Sequence, residues 1–144
     1  MMAGVLVKSL SQRKCYTIEL SASIQDTANK LTEHNIGAMP VVDNKSDVVG
    51  IVSERDVSRY ISTDNFNLSE SVSKIMSKNI ISCDLEISVS DLMETMTNQK
   101  IRHMPIIDNS KLIGIVSIGD VVNHIIHKYE VENDALRNYI NGFS

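Results

Sequence analysis

Ile36-Gly-Ala-Met-Pro-Val-Val-Asp-Asn44 and Ile101-Arg-His-Met-Pro-Ile-Ile-Asp-Asn109 are one phrase written twice in a chain of 144 residues. A second phrase follows each: Gly50-Ile-Val-Ser-Glu-Arg-Asp-Val57, then Gly114-Ile-Val-Ser-Ile-Gly-Asp-Val121. Pro40 and Pro105 lie 65 residues apart and Gly50 and Gly114 lie 64 apart, so the second copy has lost one residue in the turn between its phrases. A repeat of this period means a duplicated supersecondary unit that does not bury its apolar face alone. Half the chain would also bury too little surface to be stable by itself. The two copies are therefore expected to share one core and to carry paired, quasi-equivalent sites.

Working outward, each copy parses alike. Met-Pro-Val-Val and Met-Pro-Ile-Ile are short apolar runs rich in β-branched residues, as buried strands are. Asp43-Asn-Lys-Ser-Asp47 and Asp108-Asn-Ser-Lys111 supply turn chemistry, and Val48–Val52 and Leu112–Val116 return as hairpin partners. Ser23-Ile-Gln-Asp26 and Ser88-Val-Ser-Asp91 open a helix before each hairpin as capping boxes. Short strands around Cys15–Ile18 and Ile80–Cys83 precede those helices, and a second helix begins near Ser53 and near Ser117. The order in each copy is strand, helix, strand, strand, helix. Residues 1–65 and 66–128 bound the copies. Residues 129–144 form a helical tail with no counterpart after the first copy.

Composition narrows the function. A net charge of −4 without a long basic run argues against nucleic-acid binding, and 4% aromatic residues leave little for stacking bases. No apolar stretch approaches the length of a membrane span, and the N-terminus lacks the basic segment of a signal peptide. Cys15 and Cys83 sit at non-equivalent positions and read as structural thiols rather than a disulfide. The expectation is a cytoplasmic protein.

Ser-x-x-Asp recurs at Ser53/Asp56 and Ser117/Asp120, where it follows a glycine-containing strand and opens a helix. A helix cap explains the spacing equally well. Yet a strand-to-helix turn also aims free N–H groups at an anion, and a carboxylate there can hold both hydroxyls of a ribose. Gly50 and Gly114 would allow close approach of a ligand or of another backbone.

The paired phrases resemble the repeats of cystathionine-β-synthase (CBS) domains, two of which in tandem form a Bateman module. The resemblance covers about residues 5 to 128. It implies an α+β fold of two β-α-β-β-α repeats related by a pseudo-twofold axis, packed through their sheets, with a C-terminal helical extension. It also implies two clefts able to bind adenosyl ligands such as AMP, ADP, ATP, NAD(H) or S-adenosylmethionine. Carried over to this chain, the ribose acceptors are Asp56 with Ser53 and Asp120 with Ser117. The basic positions before the proline, which in AMP-binding members face phosphate, are Arg102 and His103 in the second copy but Gly37 and Ala38 in the first. Arg55 is the basic group beside the first phrase, with Gly119 in its place in the second. Each cleft in the family also borrows the early strand of the other repeat, which puts Ser11 and Tyr16 opposite Asp120, and Met76 and Ile81 opposite Asp56. On this basis a monophosphate is expected to prefer the Asp120 cleft.

His124, His127 and Glu130 have helical spacing that could hold a metal, although a solvated helix face is the plainer reading. No nucleophile elbow, phosphate loop or zinc-protease helix occurs, so no enzyme is expected. The resemblance implies a regulatory module that senses adenine nucleotides, acts as a homodimer and is read by a separate regulated protein. The alternative is a ligand-independent dimerisation or adaptor module.

Overall fold

The structure, a computed structural model, describes Leu10 and residues 13–141. Its elements follow the repeat. In the first half, β1 (Ile18–Glu19) precedes α1 (Ile24–Glu33), β2 (Ala38–Val42), β3 (Val48–Ser53) and α2 (Glu54–Ile61). A 3-10 turn at Val72–Lys74 leads into α3 (Val89–Asn98), β4 (His103–Asp108), β5 (Lys111–Ser117) and α4 (Ile118–Asn141). The mixed α+β architecture matches the expectation.

Both hairpins are antiparallel and bulge at the same place. Val41 faces Gly50 and Val42 faces Val48; Ile106 faces Gly114 and Ile107 faces Leu112. The turns differ as the spacing suggested. The second is a tight pair, Asn109 and Ser110, both with positive φ, which suits the twist of a two-residue hairpin. The first is wider, organised by Asp43, whose Oδ1 accepts from the N–H groups of Lys45 and Asp47. The early strands are shorter than expected. β1 pairs in parallel with β2 over two residues, and its counterpart shrinks to one bridge between Cys83 and Ile106.

Helices α1 and α3 begin where the Ser-x-x-Asp phrases foretold, with Ser23 and Ser88 Oγ accepting from the N–H of Asp26 and Asp91. Both end through a left-handed residue, Asn35 (φ 51°) or Lys100 (φ 55°), after which Ile36 and Ile101 donate back to Leu31 and Met96.

The apolar core departs from the expectation of one shared body. One cluster centres on Ile24, Met39, Val41, Val52 and Val57. The other centres on Leu92, Met104, Ile106, Val116 and Val121. Each helix-and-hairpin layer closes its own apolar face, but only with a segment from the other half. Val72, with Leu68, Ile75 and Met76 beside it, completes the first cluster, and Leu10 completes the second. The halves are interlaced across the 65/66 boundary.

Gly50 shows why that interlacing needs a residue without a side chain. Ile51 and Ser77 exchange backbone hydrogen bonds of 2.8–3.0 Å, and a Cβ on Gly50 would sit 2.6 Å from Met76 Sδ and 2.8 Å from the Ser77 carbonyl. The close approach foreseen at this glycine is thus another stretch of backbone.

Candidate functional site

Two strand-to-helix turns carry the Ser-x-x-Asp phrases. At the first, Ser53 Oγ accepts from the Asp56 N–H (3.2 Å), and Asp56 Oδ2 accepts from the Ser53 N–H (2.8 Å) and hydroxyl (3.0 Å). At the second, Ser117 Oγ accepts from the Asp120 N–H (3.0 Å) and Asp120 Oδ2 from the Ser117 N–H (2.8 Å). Both are reciprocal capping boxes. Cap and ligand readings are therefore compatible: one carboxylate oxygen closes the helix end and the other points away from it.

The two turns diverge at that second oxygen. Arg13 grips Asp120 with both guanidinium arms, Nη1 to Oδ1 at 3.1 Å and Nη2 to Oδ2 at 2.7 Å, while Nη2 also donates to the Ile115 carbonyl at 2.9 Å. Such bidentate pairing is the strongest arrangement open to a carboxylate at this exposure. Burial works to raise the Asp120 pKa, but the hydrogen bonds from Arg13 and Ser117 and the guanidinium charge outweigh it and hold it below the usual carboxylate value. Asp56 Oδ1 takes no protein hydrogen bond among the described residues.

Around Asp56 lies a cavity of about 320 Å³, within the range of small-molecule sites. Ser53, Asp56 and Ile51 line it from the first repeat, Ser77, Asn79 and Ile81 from the connection, and His103 and Pro105 from the second hairpin. Four fixed cations, Arg55, Arg59, Lys100 and Arg102, line it against two carboxylates, Glu54 and Asp56. Ile81 lines this cavity, while Met76 is not among the lining residues and packs against Gly50.

Arg102 and His103, expected at the Asp120 cleft, lie between the two turns: both line the Asp56 cavity, and His103 pairs with Ser117 across the second hairpin. The reason is geometric. The start of β4 meets the start of β2 between the clefts, where a Cβ on Gly37 would stand 3.3 Å from His103 Nε2. His103 consequently faces both repeats. Burial lowers its pKa, against the opposing pull of the Asp120 and Glu54 carboxylates and with a small contribution from Arg102.

Tyr16 stacks on His34 at the end of α1, with ring centroids 3.7 Å apart, and Lys14 Nζ lies over the Tyr16 ring, 5.2 Å from its centroid. Ser11, assigned to the same cleft, lies outside the described residues. Arg13, Arg59 and Lys100 were missed. Arg59 could have been found, because it lies one helical turn beyond Arg55 and Asp56. Arg13 and Lys100 reach their positions only through tertiary packing. Among the described residues no three His, Cys, Asp or Glu side chains converge on a metal site. Both cysteines are free, and burial pushes the Cys83 thiol up to about 11. No helix of the described residues is long and apolar enough to cross a membrane.

Comparison with known proteins places the chain among CBS-domain proteins. The chain is 36% identical over 125 residues to the mitochondrial CBS domain-containing protein CBSX3 of Arabidopsis thaliana, covering 83% of this chain and 61% of that protein. Among solved structures, the CBS-domain containing protein ATU1752 from Agrobacterium tumefaciens superposes with a TM-score of 0.78 at 36% identity, over 85% of this chain and 91% of that one. The CBS domain pair of MJ0100, solved in complex with 5′-methylthioadenosine and S-adenosyl-L-methionine, superposes with a TM-score of 0.76 at 25% identity, over 85% and 96% of the two chains. Residues 7–63 and 72–127 each match the CBS domain, and the chain belongs to that family as a CBS-domain pair.

Proposed function

We propose that this chain is a regulatory, non-catalytic module that binds an adenine nucleotide (AMP, ADP, ATP or NAD(H)) in the Asp56 cavity, and that a separate protein reads the bound state. One observation carries the reading: a half-open carboxylate at a helix N-terminus shares a cavity with four cations. Asp56 Oδ1 is positioned to accept from ribose hydroxyls, and the guanidinium and ammonium groups to hold phosphate. The adenosyl compounds bound by the MJ0100 pair support the ligand class. The Asp120 cleft ranks second, because Arg13 already occupies its carboxylate.

Thermal-shift titration with AMP, ADP, ATP, NADH and S-adenosylmethionine tests this. A ligand that binds only the folded state raises the melting temperature with concentration. An unmoved transition with all five at millimolar concentration sinks the proposal.

The exposed apolar side chains of α4 favour a second reading, a ligand-independent dimerisation or adaptor module. Val122, Ile125, Ile126, Tyr129 and Leu136 are all more than 40% exposed on this helix, enough to supply a homodimer contact. A dimer in sedimentation, together with no nucleotide shift, would select it.

A further inference from the structure

Glu54 and Asp56 line the Asp56 cavity together with its four cations. Next to it lies an open depression of about 390 Å³ that shares Arg55, Lys100, Ile101 and Arg102 with the cavity and adds Met96, Thr97 and Ile118. This adjoining depression is therefore lined by three cations and no carboxylate, in a chain whose net charge is −4. The ion pairs of the described residues join Arg13 to Asp120, Lys74 to Glu70 and Lys128 to Glu132, and none uses these three cations. Converging like charges repel one another, and an anion laid between them relieves that repulsion.

The repeats show where the charge was added. Asn35 and Gly37 flank Ile36 in the first copy, and Lys100 and Arg102 flank Ile101 in the second. Lys100 also holds a left-handed backbone (φ 55°), which asparagine adopts more readily than lysine and which Asn35 adopts at the same point (φ 51°). Lysine is thus the costlier residue for the backbone, but it contributes a cation shared by the cavity and the depression beside it.

We infer that the ligand of the Asp56 cavity carries a polyphosphate chain, as a nucleoside di- or triphosphate does, with its outer phosphates against Arg55, Lys100 and Arg102. This rests on the nucleotide reading above and goes beyond it. With its ribose at Asp56, a monophosphate stays beside the Glu54 and Asp56 carboxylates, which partly offset the cations. Each added phosphate extends toward the adjoining depression that lacks them. A sulfonium ligand would carry positive charge toward the same cations and is disfavoured.

Calorimetry on the full chain at about 0.15 M salt with AMP, ADP, ATP and S-adenosylmethionine tests the inference, because surface charge contacts persist but are screened at that ionic strength. The expected order is ATP tightest, about tenfold over AMP, with ADP between and S-adenosylmethionine weakest, since each exposed charge contact adds only a modest increment. Lys100→Asn installs the residue that already holds this backbone in the first copy, so the fold is kept. It should weaken ATP about fivefold and AMP distinctly less. AMP or S-adenosylmethionine binding as tightly as ATP overturns the polyphosphate inference and leaves the adenosyl reading standing. Equal losses of AMP and ATP in Lys100→Asn also overturn it. If none of the four binds, the underlying nucleotide reading fails as well.

Discussion

The turns at Ser53–Asp56 and Ser117–Asp120 share a backbone, a capping box and a carboxylate, yet they face different surroundings. Asp56 opens onto a cavity walled by residues 77–81 and by cations from both halves. Asp120 meets Arg13, which satisfies both of its oxygens. The local sequence makes a turn capable of holding a ligand, and the segment arriving from the other half decides whether it stays available. Duplication supplied two equal sockets, and one has an internal occupant.

The strongest way to break this comparison is to remove the carboxylates in turn. Asp56→Ala should cost nucleotide affinity at least about thirtyfold, because two charge-assisted hydrogen bonds to ribose are lost. Asp120→Ala should cost less than about threefold by calorimetry. Asp56→Asn keeps a side-chain acceptor for the cap, so an equal loss there assigns the effect to charge rather than to the helix end. The opposite ranking would restore Asp120 as the principal site.

Glycines sharpen the contrast. Gly50→Ala forces a Cβ into Met76 and the Ser77 carbonyl and should destabilise by about 1–3 kcal/mol in denaturant titration. Gly119→Ala meets only Ser117 Oγ at 3.6 Å and should be neutral or stabilising, by up to about 1 kcal/mol. Arg13→Ala removes a half-exposed ion pair worth less than about 1 kcal/mol of stability. Its informative readout is stoichiometry: a second, weaker binding event per chain should appear once Asp120 is released. Unchanged stoichiometry would mean that Arg13 does not guard this cleft.

The smallest effect is on pH dependence. Burial lowers the folded-state pKa of His103 below its ordinary 6.5, so the unfolded chain takes the proton first as pH falls. Stability from this group is complete above about 6.5 and declines below it. His103→Gln should flatten that slope in melts taken between pH 7 and pH 5. Asp120, held below its ordinary 3.8, contributes stability above that value and loses it only in stronger acid, where Arg13→Ala should remove the difference.

Much of this was legible along the chain. The four Ser-x-x-Asp caps, the hairpins and the shorter second turn each follow from a few adjacent residues whose backbone preferences agree. Asp56 and Asp120 could be named because a strand-to-helix turn is a local event. What could not be read was which distant segment would meet each turn. Arg13 lies 107 residues from Asp120 and looks like any surface cation in sequence. That Arg102 and His103 would line the Asp56 cavity as well could not be read either, because the direction a strand end faces depends on how the two hairpins meet. The single shared core failed for the same reason, since apolar periodicity says which face is buried and not against what.

The placement of Leu10 in the second cluster has a consequence for synthesis on the ribosome. Its partners, among them Leu92, Met104 and Val116, emerge some eighty to a hundred residues later. An apolar side chain made with the first repeat therefore finds its seat only after most of the second has been made. Until then it must remain unpaired or be shielded, and contacts spanning such distances close slowly. Assembly of the pair should be limited less by forming either hairpin than by the return of the segment that carries Leu10.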